Sequence, residues 1–190
     1  MTIVFEKGGK VQIQKDNPGL KTAEAGLGWD QLKGVAKADL DVFLVAVGED
    51  GKAADGESSL IYYGRKTSAN GSFFVGGDNL TGEGEGDDEK AYIKFNELPA
   101  NVKEVYVCVS IYQFDTRKQN FGQINNAYIA VRDADTKVEF GKYDLSEDMS
   151  NFTGIVAGKF RRESDGTFSF KAIGEGVKGG MKEVISQFGL

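Results

Sequence analysis

The sequence predicts a mainly all-β protein, an antiparallel β-sandwich closed by a C-terminal amphipathic helix. Three observations lead there. Short apolar runs are separated by turn signals. Glycine is abundant (26) and proline scarce (2). Only the last stretch of chain carries a helical period. The 190 residues are expected to form a single domain, 1–190, because no linker composition and no repeat at a period of roughly 20–50 residues divides them.

In chain order, strands are expected at residues 11–15, 42–47, 60–63, 73–75, 92–95, 105–112, 127–131, 138–143, 155–162 and 167–173. Glu49-Asp50-Gly51, Ala69-Asn70-Gly71, Asp133-Ala134-Asp135 and Ser164-Asp165-Gly166 punctuate them as turns. Asn96-Glu97-Leu98 before Pro99 suggests a short turn or helix. Val177, Met181, Val184, Ile185 and Phe188 then fall on one face of a helix, with Gly189 placed as its C-cap.

Charge and composition exclude several functions. The formal net charge is −6, which argues against nucleic acid or an anionic membrane as a partner. There is no histidine, hence no His-based triad and no His-ligated zinc or iron. The one cysteine, Cys108, lies in the apolar run 105–109 and reads as a buried hydrophobe. Any bound metal must therefore be held by oxygen. The chain opens without a basic and apolar leader, and its longest apolar run, 42–47, is too short to span a bilayer. The expectation is a cytoplasmic protein that is not transmembrane.

The informative segment is residues 77–89, Gly-Asp-Asn-Leu-Thr-Gly-Glu-Gly-Glu-Gly-Asp-Asp-Glu. Six carboxylates (Asp78, Glu83, Glu85, Asp87, Asp88 and Glu89) and the Asn79 amide are interleaved with glycines. So many acids repel one another in a folded loop unless a cation lies among them. Calcium accepts roughly six to eight oxygens in flexible geometry, whereas magnesium demands a stricter octahedron. The set exceeds what one ion needs, so two neighbouring ions are expected. The EF-hand pattern is absent, since Leu80, Gly82 and Glu83 stand where it needs Asp or Asn, Asp or Asn, and Gly. No phosphate loop is present either, for want of Gly-Lys-Ser/Thr. Asp30, closing Gly26-Leu27-Gly28-Trp29-Asp30, and Asp39 and Asp41, flanking Leu40, are candidate outside ligands. Alternation along an extended segment would turn Asp87 and Glu89 one way and Asp88 the other.

These residues carry a resemblance. Lys7-Gly8-Gly9, residues 26–30, Asp39-Leu40-Asp41, the block 77–89, Arg117-Lys118-Gln119-Asn120-Phe121-Gly122-Gln123 and residues 143–148 together resemble the TerD family of tellurite-resistance and general stress proteins. The likeness covers nearly the whole chain. It implies a β-sandwich holding two calcium ions side by side at one end. It also implies a cytoplasmic or membrane-peripheral stress role alongside other Ter-type stress proteins, with no established enzymatic activity. By the motif match, Asp78, Asn79, Glu83, Glu85, Asp87, Asp88 and Glu89 are the implied metal loop, joined by Asp30, Asp39 and Asp41. The chain departs from the pattern at 112–115, where Tyr-Gln-Phe-Asp replaces a His-Asp pair, and at 149–153. The expected function is a calcium-binding scaffold or sensor with no catalytic residues; the alternative is a metal-dependent hydrolase using the same carboxylates.

Overall fold

The computed structural model describes residues 3–76, 80–82, 84–146 and 149–190. Its strands, in chain order, are β1 (Lys10–Val11), β2 (Thr22–Gln31), β3 (Leu40–Val47), β4 (Ala54–Glu57), β5 (Leu60–Ile61), β6 (Phe73–Gly76), β7 (Glu89–Lys94), β8 (Glu104–Ile111), β9 (Ile124–Asp133), β10 (Glu139–Asp144), β11 (Gly154–Arg162) and β12 (Phe168–Val177). Short helices α1 (Ile13–Asp16), α2 (Phe114–Arg117) and α3 (Gly180–Ser186) join them. One sheet runs β1-β12-β11-β8-β3-β5 and the other β10-β9-β2-β7-β6, with antiparallel pairing throughout the two ladders.

The sandwich forms because both sheets have an apolar inner face. In the first sheet one cross-strand row reads Val11, Phe170, Phe160, Val105 and Ala46, and each belongs to, or packs against, the inter-sheet core. Ala23, Ala25, Leu27, Ala91 and Ile93 answer from the second sheet. Phe95 stacks on Phe168 at 4.4 Å between ring centres.

The all-buried β3 has a different cause from its neighbours. Leu40, Val42, Leu44 and Ala46 face the inter-sheet core. Phe43, Val45 and Val47 face the other way, into a second cluster with Cys108, Val156, Val184 and Phe188. Helix α3 covers that outer face, so the strand reads as a continuous apolar run rather than an alternation.

The expected sandwich and terminal helix are present, with adjustments. In the stretch 11–15 only Val11 is strand, and Ile13–Asp16 coil into α1. Strands β2 and β4 were not expected. Val177 closes β12, and the helix begins three residues later. Gly189 has φ +79°, and the Leu190 N–H reaches the Ile185 carbonyl at 3.3 Å, an αL termination that glycine permits.

Candidate metal centre

Strand β3 begins, and β2 and β8 end, at one end of the sandwich. There Asp41 lies opposite Ser110 of β8, and Leu27 lies opposite Glu89 of β7. Asp39 is delivered by the segment 36–39, which two glutamines hold. Gln31 accepts from the Ala38 N–H at 2.9 Å and donates to the Ala38 and Thr81 carbonyls. Gln119 donates to the carbonyls of Ala36 at 3.1 Å and Lys37 at 2.9 Å. The Tyr112 N–H then fixes the Asp39 carbonyl at 2.8 Å. Gln31 thus ties the acidic loop, through Thr81, to the segment that carries Asp39.

Asp39, Asp41 and Glu89 are 7%, 6% and 5% exposed. Burial of three carboxylates in one region is costly unless cations or hydrogen bonds compensate. Glu89 reaches across the open edge between the sheets, where its Oε2 accepts the Val42 N–H at 2.7 Å. Asp41 and Glu89, with Tyr63, Lys66, Val75 and Gly76, line a cavity of about 10 Å³. That is room for about one water or ion. The Tyr63 hydroxyl is pushed up by burial and then by the charge of Asp41.

The remaining loop acids diverge. Asp88 accepts the Trp29 N–H at 3.0 Å, while its own N–H bonds the Leu27 carbonyl at 2.8 Å. Trp29 is 3% exposed, its indole N–H has no hydrogen-bond partner among the described residues, and the ring lies against Gly82. Asp87 turns to the outer face of the second sheet. It pairs there with the Arg132 guanidinium and accepts the Tyr128 hydroxyl at 3.0 Å. Asp87 and Glu89 consequently face opposite sides, because residue 88 is a bend ahead of β7, and simple alternation does not hold. Glu85 is exposed, as is Asp30, which accepts from Asn126 at 2.7 Å. Asp78, Asn79 and Glu83 lie outside the described residues.

The sequence did not single out Arg132, Tyr128, Tyr63 or Lys66. Arg132 lies one residue past the end expected for its strand, which continues through Asp133. That extension places its guanidinium over Gly26, where a Cβ would collide with both it and Asp87.

Among the described residues, no three acids converge closely enough to hold a metal ion. The donor chemistry still fits calcium: the acids are oxygen ligands, buried Asp41 and Glu89 share a cavity of an ion's size, and no histidine competes. Bound there, calcium would supply the positive charge that offsets these carboxylates. Among the described residues, no helix is long and apolar enough to cross a membrane.

The TerD domain family matches residues 1–188. The chain is 40% identical to general stress protein 16U of Bacillus subtilis (strain 168) over 192 residues, covering 100% of this chain and 98% of that protein. It is 37% identical to tellurium resistance protein TerD of Serratia marcescens over 191 residues, again covering 100% and 98%. The crystal structure of a homologue of telluride resistance protein (TerD) from Streptomyces coelicolor A3(2) superposes with a TM-score of 0.73 at 20% identity. The match covers 88% of this chain and 96% of the other, and it supports the fold.

Proposed function

Because the chain belongs to the TerD family, we propose that it is a non-enzymatic calcium-binding protein of the stress and tellurium-resistance response. It acts as a scaffold or sensor. Two adjacent ions bind at one end of the sandwich, among the acidic loop 78–89 and the outside carboxylates Asp39, Asp41 and Asp30. Other Ter-type stress proteins are the expected partners, and the cytoplasm is the expected location.

The observation that carries this reading is the burial of Asp39, Asp41 and Glu89 at the loop end of the fold. Calcium would neutralise them, draw in the remaining loop acids and convert an acidic end into a shaped docking surface. The cavity between Asp41 and Glu89, about 10 Å³, admits an ion or a water. An organic substrate needs a pocket of roughly 300 Å³ or more, so the local geometry favours binding over hydrolysis. Calorimetric titration of metal-free protein with calcium tests the reading. Two sites per chain are expected, and no heat of binding at millimolar calcium would overturn it.

A further inference from the structure

A second feature lies on the outer face of the six-stranded sheet. Next to the inner apolar row runs an outer row in which Lys10 of β1 lies directly opposite Lys171 of β12, Lys171 opposite Lys159 of β11, and Lys159 opposite Tyr106 of β8. Three lysines thus align across three adjacent strands, about 4.8 Å apart per step and about 10 Å in all. Like charges directly opposite one another destabilise a sheet. An edge lysine guards against edge-to-edge association, which accounts for Lys10. It does not account for Lys171 and Lys159, on interior strands β12 and β11.

The row is only partly neutralised. Lys10 pairs with Glu163 at 2.7 Å and Lys159 with Glu104 at 2.7 Å. Lys171, between them, is exposed and has no ion pair among the described residues. Lys159 is pre-set: Glu104 is 8% exposed and also takes Arg161 at 3.0 Å, and Tyr106 accepts from Lys159 at 3.2 Å. Two concavities flank Lys159. One, of about 360 Å³, is lined by Lys7, Gly8, Lys159 and Lys171. The other, of about 640 Å³, is lined by Lys103, Lys159, Arg161 and Arg162 together with the acids Glu49, Glu104 and Glu163. Arg162 donates to the carbonyls of Val102, Leu98 and Pro99. This cationic face belongs to a chain of net charge −6. Lys159 lies level with Val45, two strands away through Tyr106 of β8, and Val45 is four residues along β3 from Asp41. The face is thus set off from the acidic end by about 13 Å along the strands and about 10 Å across them.

We propose that this face, centred on the row Lys10, Lys171 and Lys159, binds a small soluble ligand bearing two or more adjacent phosphates. Adjacent phosphates match cations set in a line, with Lys171 completing its charge pairing only when the ligand is present. The site is separate from the acidic loop and needs no metal.

The test is calorimetric titration of the intact chain with inorganic tripolyphosphate and with orthophosphate, in calcium-free buffer at physiological ionic strength. Tripolyphosphate should bind, and more tightly than orthophosphate. Lys171→Gln should weaken it about tenfold, the worth of one charged hydrogen bond. The same substitution should leave the melting temperature unchanged or raised, because it relieves like-charge repulsion; a merely structural lysine would lower it. Lys182→Gln, on the exposed side of α3, and Asp88→Asn, in the acidic loop, should leave tripolyphosphate binding as in the parent. Absence of binding, an equal loss in Lys182→Gln, or tighter binding to duplex DNA or to anionic vesicles than to tripolyphosphate would each overturn the proposal.

Discussion

Asp87 and Arg132 are locked together on the outer face of the five-stranded sheet, with Arg132 also bonded to Glu139 at 2.9 Å and 3.6 Å from Glu24. Glu24 is 1% exposed, so this guanidinium serves three carboxylates at once. Burial opposes the Arg132 charge, but Asp87 and Glu139 more than offset it and hold its pKa above the ordinary value. If Asp87 is also a calcium ligand, arginine and metal compete for it. Arg132→Gln should therefore cost about 2 kcal/mol of stability without calcium, and tighten calcium binding severalfold. Chemical denaturation and calorimetry measure the two effects. Weaker calcium binding would instead make Arg132 a positioning residue for the loop.

Calcium should raise the melting temperature by about 5–10 °C at one hundred times its dissociation constant, and magnesium by much less. Trp29 is the one tryptophan, and it packs against Gly82 in the acidic loop. Its emission should shift over the same calcium range. Identical melting in calcium and in chelator would remove the calcium reading.

Asp88→Asn retains an oxygen able to accept the Trp29 N–H while losing the carboxylate charge. It should weaken calcium binding at least about tenfold, as expected for loss of a charged contact, with little change in metal-free stability. Asp165→Asn, in the exposed turn that Thr167 bonds, should bind calcium as the parent does. Parent-like binding by both variants would place the site elsewhere.

Alkaline pH should destabilise the fold. Tyr63, Tyr92, Tyr106 and Tyr128 all have raised pKa values. Burial is the first cause in each, and the charge of Asp87 is the second at Tyr128. A folded-state pKa above the unfolded one, about 10, gives stability that is intact below pH 10. That stability falls as pH rises towards the folded values. Melting temperature should hold from pH 8 to about 10 and then drop, less steeply in Tyr128→Phe. A flat profile through pH 11 would contradict the partial burial of Tyr92, Tyr106 and Tyr128; Tyr63, which is exposed, contributes least.

The sandwich was legible because its inner rows repeat Val, Ile and Phe between clear turns. Strand β2 was not, and the reason is steric. A side chain at Gly26 would strike Asp87 and Arg132, and one at Gly28 would strike Tyr128. Glycine is needed there so that larger residues from neighbouring strands can lie over the backbone, and the resulting sequence does not look like a strand. At the candidate site, the residue types announced an oxygen-rich cation site, and burial of Asp39, Asp41 and Glu89 agrees with that. The direction of each acid was hidden, because it depends on the bend at Asp88 and on Arg132, 45 residues from Asp87 in sequence.

Strand β3, covered on one face by the opposite sheet and on the other by α3, should exchange its amide protons with solvent more slowly than any other segment, since only global opening would expose it. The Asp41 carboxylate is anchored on that slow-exchanging strand. A cation bound there meets a carboxylate whose backbone is already fixed, so Asp41 gives up little conformational freedom on binding.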